Sequence, residues 1–219
     1  MATQVEIRER LGSMGVVSIL VIQNVEDALR VGEALSKAEL SAMEITFRTE
    51  AAAEGIDRLV REFPDALVGA GTVLTIDNLA AARDAGAQFV VTPGLNPTVV
   101  EKALEIGLPI YPGVMTPSEI EKGLSLGLEV LKYFPAGNAG GVPMLKALSG
   151  PYRHTGIRFI PTGGVNGENV LEYLALPLTL ACGGTWIAKS ELIQAKDWAG
   201  IEAIARETVA AIREFRESK

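Results

Sequence analysis

The feature that most limits what this chain can fold into is a strict alternation. From Val16 onward, short apolar runs alternate with helix-spaced stretches, eight times over. The runs are Val16–Ile22, Ala42–Thr46, Leu67–Gly71, Gln88–Val91, Pro109–Tyr111, Leu128–Phe134, Arg158–Pro161 and Leu178–Cys182. Each is too short for a helix and is bounded by Gly, Pro or polar residues, the pattern of a buried strand. Between them lie Val25–Lys37, Ala51–Glu62, Asp77–Ala85, Thr98–Ile106, Thr116–Leu126, Val142–Leu148, Gly167–Leu174 and Ser190–Gln194, and Asp197–Glu217 closes the chain. Thr75 is an N-cap candidate, and Thr116 with Glu119 has capping-box spacing.

Strands alternating with helices make βαβ crossovers and a parallel sheet, and eight such units predict a closed barrel. The 219 residues stand at the short end for that architecture, so tight loops are expected. The predicted fold is therefore α/β, a single-domain (β/α)8 TIM barrel over residues 1–219. Residues 1–15 form an added N-terminal helix, and 16–219 the barrel and C-terminal helix. A doubly wound sheet is the competing topology, but its G-x-G-x-x-G fingerprint does not follow the first run.

In a barrel the chemistry gathers at the C-terminal ends of the strands. The sixth run carries Lys132 among Val130, Leu131, Tyr133 and Phe134. In a strand, Val130, Lys132 and Phe134 share one face. A lysine placed there can snorkel to water, pair with a carboxylate, or lose its proton, because burial disfavours the ammonium. A neutral amine is a nucleophile that forms Schiff bases with carbonyl compounds. The second run supplies Glu44, Thr46 and Arg48 at one parity, so all three face the barrel axis if the extended conformation persists. They read either as an ion pair lining the barrel or as an acid/base carboxylate beside the lysine with an arginine fork for a substrate carboxylate. Gly163-Gly164 and Gly183-Gly184, each beside a threonine, follow the seventh and eighth runs. Glycine pairs there read as tight turns or as backbone N–H groups brought close to a phosphate.

Other residues carry less. His154, the only histidine, falls in a loop at the opposite end and is expected at the surface. Cys182 is the only cysteine, so no internal disulfide is possible; it reads as packing, in a reducing compartment. Trp186 fits either the site rim or a subunit contact. No set of His, Cys, Asp and Glu has metal-ligand spacing. The net charge of −7 argues against nucleic acid. No apolar run of about 18 residues suggests a spanning helix, and the charged N-terminus does not resemble a signal peptide. A cytoplasmic protein is expected.

With these residues in view, the chain resembles the 2-dehydro-3-deoxy-6-phosphogluconate aldolases, a family of class I, Schiff-base aldolases that includes 4-hydroxy-2-oxoglutarate aldolase activity. The resemblance runs from about Val16 to the C-terminal helix. It rests on six motifs in order: Glu44-Ile45-Thr46-Phe47-Arg48, Gly69-Ala70-Gly71-Thr72-Val73, Thr92-Pro93-Gly94, Lys132-Tyr133-Phe134-Pro135-Ala136, Pro161-Thr162-Gly163-Gly164 and Gly183-Gly184-Thr185-Trp186. It implies Lys132 as the Schiff-base lysine and Glu44 as the acid/base. Arg48, Thr72 and Thr162 would contact the substrate carboxylate, Gly163, Gly164, Gly184 and Thr185 the phosphate, and Pro93 and Phe134 would complete the pocket. It further implies a homotrimer, no cofactor and no metal, with a phosphorylated 2-keto sugar acid and pyruvate as small-molecule partners. Thr185 stands where the family has serine, and Gly137-Asn138 where an acidic residue is common. Related 2-dehydro-3-deoxy-6-phosphogalactonate aldolases share the fold and the lysine. A non-catalytic phosphosugar-binding barrel would keep the glycine loops without the lysine beside Glu44. A metal-dependent class II aldolase would need a ligand cluster.

Overall fold

The computed structural model describes residues 3–218. In chain order the elements are α1 Gln4–Met14, β1 Val16–Leu20, α2 Val25–Lys37, β2 Ala42–Thr46, α3 Ala52–Glu62, β3 Leu67–Gly71, α4 Ile76–Asp84, β4 Phe89–Val91, α5 Pro97–Glu105, β5 Ile110–Tyr111, β6 Gly113–Val114, α6 Pro117–Ser125, β7 Val130–Tyr133, α7 Gly141–Ser149, β8 Arg158–Pro161, α8 Val170–Leu174, β9 Cys182–Gly184, α9 Ser190–Gln194 and α10 Trp198–Glu217. A 3₁₀ turn, Gly150–Thr155, follows α7 and carries an exposed His154, as expected. The expected N-terminal helix is α1; residues 1 and 2 of its expected range lie outside the described ones.

All strand pairs are parallel. One sheet runs β5-β4-β3-β2-β1-β9 and the other β6-β7-β8. Bridges from Phe159 to Thr179 and from Thr162 to Gly183 join β8 to the β9 side. β5 and β6 are two pieces of the fifth barrel strand, split at Pro112. Proline has no N–H to give the ladder, yet its carbonyl still accepts from Lys132 N at 2.9 Å. The expected (β/α)8 barrel is thus observed. The start signals act as read: the Thr75 side chain accepts from Asn78 N, and Thr116 and Glu119 close a capping box.

Two expectations shift. The eighth strand lies at Cys182–Gly184 rather than Leu178–Cys182. Thr179 and Leu180 do run along β8, where Leu180 N donates to Phe159 O, but the ladder to β1 begins only when Val16 becomes available opposite Cys182. Gly183 and Gly184 therefore lie inside a strand and not in a loop after one. The helix expected at Gly167–Leu174 is also shorter, α8 Val170–Leu174, because Asn166 and Asn169 hold residues 166–169 in turns through their side chains.

Alternation divides the apolar residues into two cores. Outward-facing residues such as Leu20, Met43, Ile45, Leu131 and Phe159 pack under the helices. Inward-facing Val17, Ala42, Leu67, Phe89, Tyr111, Val130 and Ile160 fill the N-terminal half of the barrel, where Ile7 and Leu11 of α1 join them. Both α1 residues are fully buried. α1 is a plug that closes one end, so only the other end is open to solvent.

Candidate active site

Two residues further along the same inward faces, the lining turns polar. Val130 is followed inward by Lys132, Ala42 by Glu44, and Ile160 by Thr162. A cavity of about 200 Å³ opens at this C-terminal end. Its lining includes Glu44, Arg48, Lys132, Phe134, Thr162, Gly163, Gly164, Gly184 and Thr185, which the sequence singled out. It also includes Ile19 and Val165, which sequence reasoning missed. Ile19 was findable, since it shares the inward parity of Val17.

Lys132 Nζ lies 4.0 Å from Glu44 Oε1, with side chains only 8% and 5% exposed. At that separation the charges interact without a hydrogen bond. Nζ also stands 5.1 Å from the Phe134 ring centroid. Burial is the main influence on both groups. It pulls the Lys132 ammonium below its usual range, with help from Arg48 and against Glu44. It pushes the Glu44 carboxyl up, against the attraction of Lys132 and Arg48. Both shifts favour the neutral forms, a reactive amine beside a carboxyl able to give or take a proton.

Glu44 reaches this position because β3 offers no side chain opposite it. An added Cβ at Gly71 would fall on the Glu44 carboxylate, within 2.7 Å of Cδ and 2.8 Å of Cγ. Thr46 shares the parity of Glu44, but its hydroxyl donates to Leu20 O at 3.1 Å and stays outside the cavity lining. Arg48 lies past the end of β2, exposed at the mouth. The expected extended run to Arg48 stops at Thr46, and the turn still brings the guanidinium to the cavity.

The loop after β8 has the form of an anion seat. Gly163 and Gly164 have φ of +84° and +82°, a left-handed pair that glycine alone adopts freely. Their carbonyls are occupied: Gly163 O accepts from Gly137 N at 2.7 Å and Gly164 O from Asn169 Nδ2 at 3.0 Å. The N–H groups of Gly164 and Val165 have no acceptor among the described residues. Successive free amides of this kind form an anion-binding nest. Gly184 and the exposed Thr185 stand across the cavity mouth.

Thr72 and Pro93 do not join this lining. Thr72 follows β3 in a left-handed conformation, φ +58°, strained for a β-branched residue and of the kind found at functional sites. The Pro93 carbonyl packs where Gly113 lacks a side chain, which directs it into the barrel wall. Cys182 is buried, and burial pushes its thiol far up, against a nucleophilic role. Among the described residues no group of three or more His, Cys, Asp or Glu is placed to hold a metal.

The same architecture and sequence recur in known proteins. The profile of the family described as "KDPG and KHG aldolase" matches residues 7–204. The 2-dehydro-3-deoxy-phosphogluconate aldolase of Haemophilus influenzae is 43% identical over 96% of this chain and 99% of its own. The KHG/KDPG aldolase of Escherichia coli is 40% identical over 89% of this chain and 90% of its own. A crystal structure of the KDPG aldolase of Legionella pneumophila, with pyruvate captured at low pH as a covalent carbinolamine, superposes with a TM-score of 0.87. That protein is 37% identical, over 92% of this chain and 97% of its own. With the family profile spanning most of the barrel and relatives of this identity matching nearly end to end, the chain belongs to the KDPG and KHG aldolase family.

Proposed function

We propose that the chain cleaves 2-dehydro-3-deoxy-6-phosphogluconate to pyruvate and D-glyceraldehyde 3-phosphate through a Schiff base on Lys132. The observation that carries this reading is the buried Lys132 amine, held 4.0 Å from the Glu44 carboxyl in a cavity with a free-amide nest at its mouth. Neutral Lys132 attacks the C2 ketone. Glu44 passes a proton as the carbinolamine loses water and becomes a protonated imine. The iminium accepts the electron pair of the C3–C4 bond as the C4 hydroxyl gives up its proton, and the aldehyde leaves. The enamine takes a proton at C3, and hydrolysis returns pyruvate and free Lys132. A positioned acid/base of this kind contributes roughly a hundredfold to ten-thousandfold.

In this scheme Arg48 and Thr162 hold the substrate carboxylate, with Thr72 and Pro93 shaping the rim from outside the cavity lining. Gly163, Gly164, Gly184 and Thr185 hold the phosphate. The iminium is the electron sink, so the scheme calls for no cofactor or metal. The shorter 4-hydroxy-2-oxoglutarate, giving pyruvate and glyoxylate, leaves the phosphate seat empty and is a second substrate. The sugar-acid epimer, 2-dehydro-3-deoxy-6-phosphogalactonate, is the alternative, and the Gly137–Asn138 loop tied to Gly163 stands where that choice would be made.

The proposal extends to a homotrimer in the cytoplasm. Leu74, Ile76 and Met115 are 52%, 37% and 47% exposed and lie just past the C-terminal ends of the third and fifth barrel strands. Such apolar exposure favours self-association. No helix among the described residues is long and apolar enough to cross a membrane.

Borohydride reduction in the presence of pyruvate tests the chemistry. One adduct is expected, mapped to Lys132 by mass spectrometry. An adduct on the exposed Lys146 or Lys189 instead would overturn the assignment.

A further inference from the structure

A second cavity, of about 600 Å³, opens at the opposite end of the barrel, beside the α1 plug. Arg8 of α1, Arg158 of β8 and Arg216 of α10 line it, with Glu9 as its one acidic wall residue. Three arginines against one carboxylate stand out in a chain of net charge −7.

Two of the three have no carboxylate partner among the described residues. Arg158 Nη2 donates to Thr179 O at 3.0 Å, and Arg216 donates to Gly12 O and Ser13 O in the last turn of α1. Backbone carbonyls accept a hydrogen bond but leave the positive charge in place. Arg8 pairs with Glu129 across the rim, but the Glu129 side chain is 69% exposed. A pair so wetted is worth little and can be exchanged for another anion. Two wall residues also carry a buried polar atom without a hydrogen-bond partner, Arg158 Nε and Thr179 Oγ1. Such orphans are costly. A small turn of either side chain toward an acceptor in the cavity would satisfy them. Leu174 and Leu180 supply apolar wall between the charges.

We propose that this cavity binds a small organic oxyanion, a carboxylate or phosphate ester with an apolar body, at the end of the barrel remote from Lys132. The Arg158 fork, with Arg8 and Arg216 around it, takes the charged head, since guanidinium geometry matches both carboxylate and phosphate. The leucines take the body. An occupant would tie α1 to β8 and α10 through one ligand. Arg158 lies four positions before Thr162 on the same strand, roughly 13 Å away, so this is a site separate from the catalytic cavity.

Calorimetric titration with phenyl phosphate, and with inorganic phosphate for comparison, tests the assignment on the full chain. Phenyl phosphate should bind saturably and more tightly than inorganic phosphate. Arg158→Gln should weaken that event about tenfold or more, the loss of one charge-assisted contact. Glu9→Gln, at an exposed helix position, should strengthen it several-fold and cannot fail through misfolding of the core. Gly164→Asp, which sets a carboxylate in the phosphate seat of the catalytic cavity, should leave it unchanged; an event that disappears with Gly164→Asp belongs to the catalytic cavity. Binding indifferent to both Arg158→Gln and Glu9→Gln, or no saturable binding beyond the event that Gly164→Asp removes, overturns the proposal.

Discussion

The two halves of the barrel interior are built by the same strands and the same alternation, yet they do opposite things. In the N-terminal half the inward positions are Val17, Ala42, Leu67, Phe89, Val130 and Ile160, sealed by Ile7 and Leu11. Two residues on, roughly 7 Å along each strand, β1 presents Ile19, β2 Glu44, β7 Lys132, and the chain just past β8 Thr162. The lower half gains stability by excluding water. The upper half places two ionisable groups where burial disfavours their charges, which costs stability and yields chemistry. The plug closes the far end: with no solvent from below, Lys132 meets water only through the mouth.

The largest expected effect is on the upper half. Lys132→Ala removes the nucleophile and should lower cleavage by at least about ten-thousandfold, while melting temperature and circular dichroism stay near wild type. In the intact protein, imine formation should rise with pH as Lys132 loses its proton. Its lowered pKa puts that rise below the usual lysine range near 10.5. Because the unfolded lysine then binds the proton that the folded one has lost, this group makes folding stability rise with pH across the same window. An acid limb of single-turnover imine formation at or above the ordinary lysine value would contradict this.

Gly164→Asp comes next. It sets a carboxylate on the nest of free amides and a side chain at φ +82°. Like charges repel in so small a site, and turnover of the phosphorylated sugar acid should fall a hundredfold or more. Turnover of 4-hydroxy-2-oxoglutarate should fall far less. Equal losses for the two substrates in a folded variant would move the phosphate elsewhere.

The lower half answers in stability. Leu11→Ala leaves a hole in the plug and should cost about 2–5 kcal/mol of folding free energy in denaturant unfolding. The kcat of the folded fraction should stay within a few-fold of wild type. A large loss of kcat at preserved stability would mean that the two halves are coupled in a way the packing does not suggest.

Much of this was legible in the sequence because alternation is a local signal. The eight-unit rhythm gave the barrel, and parity alone put Val130 and Lys132 on one inward face. The misses have a common cause. Whether Cys182–Gly184 pairs with β1, whether Thr46 turns its hydroxyl to Leu20, and whether Pro93 or Thr72 reaches the cavity depend on neighbours far away in sequence. Ile19 is the exception: its parity with Val17 was a local signal, and it was read as one more residue of an apolar run. The glycine pairs were noticed as motifs, but the division of labour between them was hidden. Gly163 and Gly164 adopt left-handed backbone, whereas Gly184 sits in a strand paired with β1 and is glycine because the Trp186 ring lies where a side chain would be.

The finest test of the comparison uses two glycines of one strand. Gly69 and Gly71 both face inward on β3, two positions apart, and neither has a positive φ, so the backbone at each accepts alanine. Only the neighbour differs. A Cβ at Gly69 meets the buried Phe89 ring in the lower half, and a Cβ at Gly71 meets the Glu44 carboxylate in the upper half. Gly69→Ala overpacks a rigid core position and should cost about 1–3 kcal/mol of stability, with kcat little changed. In Gly71→Ala, Glu44 has an open cavity to rotate into, so the stability cost should be smaller. The carboxyl would then leave its place beside Lys132. Activity should fall about tenfold to a hundredfold, part of what an acid/base residue contributes, and should fall in kcat more than in KM. Glu44→Gln should make Gly71→Ala nearly silent, because the acid/base function it displaces is already gone. If Gly71→Ala lowers activity as much in the Glu44→Gln background as in wild type, the glycine acts on something other than Glu44.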